Sequence, residues 1–385
     1  VDFNNTDHGQ NNYASSVLIS PGSSFKPYDY AAFIDNNTNV GGGTVLYDTQ
    51  GPLPGYECTN KNSPRTDKKA NCLWDYDVQY PGPVTLRYAL GGSRNVPAVK
   101  AMLSAVPGDT SPGKVNSINK VISTASAMMA NPNIAGSAYN CYEDEENTIL
   151  TQCYGSAAIG DGAYLHLDDH VNGIATLGRL GSAIPRTYIL SITDSSNKNL
   201  YQWKQPQGAQ VIKQESAYIV NDMAADYKAS YLPGSCNETN CTKLSIPSLS
   251  YSVGSGYKFH RYNGWKFAVK TGTTNFGFDG LMASWSSKYS VVSWVGNHDR
   301  TVDITKLHGA NMETLTEPLT RGLMEAAHAG KPAENWVQPA GIKVAPAYVM
   351  RNKISRNAEI VPSAATDLFP STYVAKSAGS ATKQT

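Results

Sequence analysis

The chain predicts an α+β layer fold, and the order of its segments carries that prediction. Helix-period segments dominate the first half. Three strand-like runs then follow in series, Lys266–Thr271, Gly280–Trp285 and Tyr289–Val295, before a last helical stretch. The short link 286–288 between the second and third runs marks an antiparallel meander.

The elements follow in chain order. Apolar residues at Phe25, Tyr28, Ala32 and Phe33 predict a helix over Ser23–Asn36. Residues 38–83 are rich in Gly, Pro, Asn and Asp and read as a long irregular excursion. Helical signals return at Val84–Leu90 and Val96–Leu103, and Ser117–Ala130 reads as a packed helix of small and apolar residues. Residues 131–160 read as another loop, whose acidic run Glu143–Glu146 is most simply a solvated surface. Asp168 is the expected N-cap of a helix through Leu180. Val171, Ile174, Ala175 and Gly178 share one face of it, and Gly181 is its stop. Tyr188–Ile192 and Asn199–Trp203 read as a hairpin around Asp194–Lys198, and Gln214–Tyr227 as a helix. Glu313–Ala327 is the helix expected to pack on the meander. After about Pro346 the composition shifts, and Ser363–Thr385 is rich in Ser, Ala, Thr and Lys. One folded domain is therefore expected over 1–345 and a linker over 346–385.

Composition bounds the function classes. The 385 residues carry 32 Lys+Arg against 31 Asp+Glu, a net charge of +1, which gives no electrostatic case for nucleic acid. No apolar run approaches the ~18 residues of a membrane span, and the start lacks a signal-peptide pattern. The chain reads as a fragment, with any anchor expected upstream of Val1. Six cysteines fall as three close pairs, Cys58 with Cys72, Cys141 with Cys153, and Cys236 with Cys241. Their polar surroundings suggest disulfides in an oxidising compartment, with free thiols as the alternative and the pairing left open. No C-x-x-C or paired histidines accompany them, so no zinc or other metal site is expected.

Three constellations carry chemistry. In Pro21-Gly22-Ser23-Ser24-Phe25-Lys26-Pro27, Ser23 and Lys26 are three apart and share a helix face. A serine hydroxyl needs a base, and a lysine amine serves as one when burial or another cation lowers its pKa. Ser23 at a helix N-terminus also gains from the dipole and the free N–H groups. Alone, this pattern is more often an N-cap serine with an exposed lysine. In Ser93-Arg94-Asn95, a hydroxyl and an amide lie two residues apart between two helical stretches. Ser93 can pass a proton to a leaving amine and Asn95 can orient a peptide, although a turn and cap is the commoner meaning. In Lys270-Thr271-Gly272-Thr273-Thr274, a strand edge offers backbone N–H groups to an extended peptide. Gly272 permits close approach, Lys270 supplies charge, and Thr271 and Thr273 can hold a carboxylate.

In this order the three motifs are the signature set of penicillin-binding proteins and class A β-lactamases. The chain resembles the transpeptidase domain of class A (bifunctional) penicillin-binding proteins. The flanks support this: Ala89-Leu-Gly-Gly-Ser93-Arg-Asn95-Val-Pro-Ala-Val99, Val269-Lys270-Thr-Gly-Thr-Thr274, Trp294-Val295-Gly296-Asn297 and Trp336-Val-Gln-Pro-Ala-Gly-Ile342 are family-like, over roughly 1–345. The resemblance implies a penicillin-binding/serine β-lactamase-like fold. That fold has an antiparallel central sheet with helices on both faces and an all-helical subregion; an N-terminal strand of it is missing here. It implies a D,D-transpeptidase that cross-links peptidoglycan stem peptides through a Ser23 acyl-enzyme and is inhibited by β-lactams. Lys26 would be the acylation base, Ser93 a proton relay, Asn95 a donor-peptide holder and Lys270 the electropositive element. Backbone N–H groups of Ser23 and Thr273 would form the oxyanion hole, with Thr271, Gly272 and Thr273 binding the substrate carboxylate or β-lactam. No cofactor is implied. The cysteine pairs would clip variable loops. A membrane anchor and glycosyltransferase domain are expected upstream, which places this part on the extracytoplasmic face of the bacterial membrane. The alternatives are a D,D-carboxypeptidase or serine β-lactamase, which deacylates with water, and a non-catalytic β-lactam or peptide sensor.

Overall fold

The computed structural model describes residues 4, 9–129, 140–141, 153–229, 231–236, 241–243, 259–274, 277–296, 302–304, 312–350 and 360–375. The chain builds outward from α1 (Lys26–Asn36), which continues a single 3-10 turn at Gly22–Phe25. Pro27 sits in its first turn, where a missing N–H costs nothing. Lys26 through Ile34 are all buried, so α1 is enclosed on every side rather than amphipathic. β1 (Val45–Asp48) pairs antiparallel with β2 (Gly82–Thr85), and the excursion between them is stapled by the Cys58–Cys72 disulfide. Val84 therefore lies in a strand. The helix expected from it starts two residues later as α2 (Leu86–Gly91), where the Thr85 hydroxyl accepts the Tyr88 N–H.

α3 (Asn95–Leu103), α4 (Val115–Met129), α5 (Leu167–Gly178) and α6 (Gln214–Ala224) complete the helical part, and α1 packs on α3, α4 and α6. The residue at the N-cap of α5 is His166, not Asp168. Asp168 and Asp169 sit in the first turn, where both pair with Arg186 at 3.1 and 2.7 Å. An available cation drew these carboxylates away from capping.

β3 (Ala268–Thr273), β4 (Asp279–Trp285) and β5 (Ser290–Gly296) form an antiparallel sheet in that order, with Ala268 opposite Trp285 and Asp279 opposite Gly296. β4 is buried at every position. Its side chains alternate: Leu281, Ala283 and Trp285 enter the main core, while Met282 joins Phe267, Val269 and Met324 in a second cluster. α5 and α6 lie on the first face, and α7 (Met312–His328), which carries Met324, lies on the second. A strand buried throughout is what a sheet covered on both faces produces.

The expected linker does not begin at 346. β6 (Lys343–Met350) and β7 (Ile360–Phe369) form an antiparallel hairpin, with Lys343 opposite Phe369. Phe369 is 2% exposed and stacks on Tyr373, and Gly42 donates its N–H to the Leu368 carbonyl at 2.8 Å. Arg87 donates to both oxygens of Asp367, at 2.9 and 2.6 Å. Composition misled because the anchors are single residues in a Ser/Ala/Thr background. The Glu143–Glu146 run and residues 376–385 lie outside the described residues. So do the side chains of Cys141, Cys236 and Cys241, although the backbone sets Cys236 opposite Cys241. Cys153 is disulfide-bonded. No helix among the described residues is long and apolar enough to cross a membrane.

Candidate active site

Two glycines let the end of β3 rest directly on the turn that carries Ser23. Gly22 has φ +52°, and a Cβ there would lie 2.6 Å from the Thr273 carbonyl oxygen. A Cβ on Gly272 would lie 2.4 Å from the Pro21 carbonyl oxygen. Any side chain at either position separates strand from turn. Behind the turn, the Ser24 hydroxyl donates to the Pro21 carbonyl at 2.6 Å and is 2.9 Å from His170 Nε2. His170 Nδ1 is 2.9 Å from the Tyr28 hydroxyl. Burial pushes His170 down to about 3, so it stays neutral and serves as a fixed support from α5.

Lys26 stands at the centre. Its Nζ lies 3.0 Å from Ser23 Oγ, 2.6 Å from Asn95 Oδ1, 2.6 Å from the Ser93 carbonyl oxygen and 3.4 Å from Ser93 Oγ. The residue is wholly buried. Burial pulls the ammonium down to about 7, with Asp75 the largest charge acting the other way. Near neutrality a substantial fraction of Lys26 is therefore a free amine beside the Ser23 hydroxyl. Ser93 has φ +52° in the link between α2 and α3. Lys270 Nζ donates to Ser93 Oγ at 2.8 Å and to the Thr271 carbonyl at 3.0 Å. Ser93 Oγ is thus set between two lysine nitrogens, a position from which a proton can move in either direction. Ser23, Ser93 and Asn95 are half-buried and Thr273 is exposed, while Lys26, Lys270 and Thr271 are buried. The hydroxyl groups line an opening and the cations lie beneath it.

The structure thus gathers Ser23, Lys26, Ser93, Asn95, Lys270 and Gly272–Thr273 into one place, although they come from three distant segments. Asn95 differs from expectation in its contacts. Its carbonyl oxygen is on Lys26 and its amide donates to the Trp74 carbonyl at 2.6 Å, so it holds the Lys26 side chain in place.

Sequence reasoning missed what holds Ser93 and Asn95. Arg94 is 1% exposed. Its Nε donates to Asp48 Oδ2 at 2.6 Å, its Nη1 to both Asp77 oxygens at 2.9 Å, and its Nη2 to the Gln79 carbonyl. Asp75 Oδ2 is 3.5 Å from Nη2. Burial and the neighbouring Asp75 push the Asp48 carboxyl well above its usual range. Asp75 Oδ1 accepts the Asn95 backbone N–H. The signal in the sequence was the pair Asp75 and Asp77 in an otherwise irregular stretch.

No protein-family model matches the chain. Among curated proteins, it is 24% identical over 351 residues to penicillin-binding protein 1A of Streptococcus pneumoniae, covering 86% of this chain and 39% of that protein. It is 37% identical over 100 residues to penicillin-binding protein 1A/1B of Bacillus subtilis, covering 26% of this chain and 9% of that one. Among solved structures, penicillin-binding protein 1A from Haemophilus influenzae superposes with a TM-score of 0.65 at 16% identity, over 95% of this chain and 50% of that one. The penicillin-binding protein PonA1 from Mycobacterium tuberculosis gives a TM-score of 0.61 at 18% identity, over 86% and 75%, and it has also been solved with penicillin V. The chain is homologous to class A penicillin-binding proteins, and its fold is that of their transpeptidase domains over most of its length. It spans less than half the length of the curated relatives it matches.

Proposed function

We propose that this chain is a serine D,D-transpeptidase domain that cross-links peptidoglycan stem peptides and is acylated by β-lactams. One observation carries the reading: a buried lysine, whose ammonium burial pulls down to about 7, sits 3.0 Å from the Ser23 hydroxyl and is oriented by Asn95 and Ser93. Lys26 takes the Ser23 proton as Oγ attacks the carbonyl carbon of the penultimate D-alanine. The developing oxyanion is received by the backbone N–H groups of Ser23 and Thr273. As the C–N bond breaks, the departing D-alanine nitrogen takes a proton through Ser93, which the Lys26 ammonium can replenish. Lys270 keeps Ser93 in an electropositive setting. Thr271, Gly272 and Thr273 hold the terminal carboxylate at the β3 edge. A second amide N–H of Asn95 is assigned to the donor peptide. An acceptor amine then displaces Ser23 from the acyl group, which gives ping-pong kinetics.

This chemistry places the chain on the extracytoplasmic face of a bacterial membrane, where stem peptides are found, as part of a longer protein carrying an anchor and a glycosyltransferase domain. The fate of the acyl group is tested with a stem-peptide mimic and a D-amino-acid acceptor. Release of D-alanine together with an acceptor-linked product supports the transpeptidase. Release with the free acid alone indicates a carboxypeptidase, and no release with intact acylation indicates a sensor. A penicilloyl adduct lost within seconds would mark a β-lactamase.

A further inference from the structure

The Arg94 cluster has no part in the acyl transfer described above, yet it abuts the base. Asp75 is wholly buried, three residues beyond Cys72 of the Cys58–Cys72 disulfide. One of its oxygens accepts the backbone N–H of Asn95, whose own carbonyl oxygen receives the Lys26 ammonium at 2.6 Å. The preceding residue, Trp74, takes the Asn95 side-chain N–H on its carbonyl. The clipped excursion thus grips Asn95 at backbone and side chain.

The charges around Lys26 are few. On α1, Asp29 is wholly buried, and neither of its oxygens has a hydrogen-bond partner. Burial pushes it well above the carboxylate range, with Lys26 acting the other way. On β1, burial and the neighbouring Asp75 push the Asp48 carboxyl well above the carboxylate range. Arg94 opposes these acids, and Lys270 meets Lys26 only across Ser93. Tyr30, Tyr80 and Lys100 complete the groups that sense this pair of acids. Of these acids, Asp75 acts most strongly on Lys26, against the effect of burial.

We infer that Asp75 is a positioning residue of the acylation centre, fixing Asn95 from behind and setting the proton affinity of Lys26 through its charge. The inference rests on the reading of Lys26 as the acylation base. A bare structural acid would hold the loop in place; a residue of this kind also decides the pH at which the site turns on. The arrangement is a balance, because burial lowers the proton affinity of Lys26 and Asp75 raises it.

The test is the pH profile of β-lactam acylation, read as second-order rate constants with a fluorescent penicillin. Asp75→Asn keeps an oxygen for the Asn95 N–H and removes the charge. Its acid limb is expected roughly half a pH unit or more below that of the native chain. Asp75→Ser removes the charge with a different shape, so a folding defect in one variant does not decide the matter. Asp77→Asn loosens the outer side of Arg94 and is expected to leave the limb in place. A limb that coincides with the native one in both Asp75 variants overturns the inference, as does an equal shift in Asp77→Asn. Absence of acylation in the native chain overturns the underlying reading instead.

Discussion

In the proposed mechanism Ser23 gains its chemistry from a neighbour one helical turn away, and that neighbour can serve as a base only because it is buried. Lys26 carries its ammonium down to about 7 through lost hydration, with Asp75 pulling back. The free amine is the reactive form, so the acylation rate should rise as pH climbs through about 7 and level off above it; stopped-flow acylation across pH 5–9 (about two units either side) checks this. Lys26→Ala should lower the acylation rate constant by ~10²–10⁴-fold while leaving the fold intact, as judged by its circular dichroism. The nucleophile and base were legible because their spacing is local. Arg94 was not, because its partners Asp48 and Asp77 lie 46 and 17 residues away in the chain. A buried arginine is chosen by tertiary contacts, and its neighbours in sequence are silent about them.

At the scale of elements, the sheet was legible and the excursion was not. β4 announces itself by its apolar Leu281, Met282, Ala283 and Trp285, and the short link after it fixes the antiparallel return. Residues 49–81 offered only turn-forming composition, yet they deliver Trp74, Asp75 and Asp77 to the back of the site. The Cys58–Cys72 disulfide is what keeps that stretch short and ordered. Its 14-residue separation gives a chain-entropy contribution of about 3 kcal/mol. Cys58→Ser with Cys72→Ser should therefore lower the melting temperature by several degrees, at most roughly 2–4 °C per kcal/mol, the figure for smaller domains of about 150–250 residues. The same double variant should also slow acylation, because Asn95 loses its support. An unchanged melting temperature together with an unchanged acylation rate would remove the excursion from the account.

At the scale of the whole molecule, the fold extends past the point where composition suggests it ends. Arg87 is held by Asp222 at 2.7 Å, Asp226 at 3.3 Å and Asp367 at 2.6 Å, which ties α2 and α6 to the C-terminal hairpin. Removing one partner of such a buried pair costs about 3–5 kcal/mol. A chain ending at Ala345 loses Asp367 and the buried Phe369, so thermal denaturation should show a clear drop in stability. A linker in this place would leave the melting temperature unchanged. The overall architecture was legible because three motifs in fixed order pointed to one family. The hairpin was not, because its anchoring rests on Arg87, which sits 280 residues from Asp367.

The central claim is that Ser23 is the acylated nucleophile. It is tested most directly by intact mass and peptide mapping after incubation with a fluorescent penicillin, native chain beside Ser23→Ala. The account predicts one adduct on the native chain, located on the peptide that contains Ser23, and none on the variant. An adduct that persists in Ser23→Ala, or a native chain that takes up none, would contradict it.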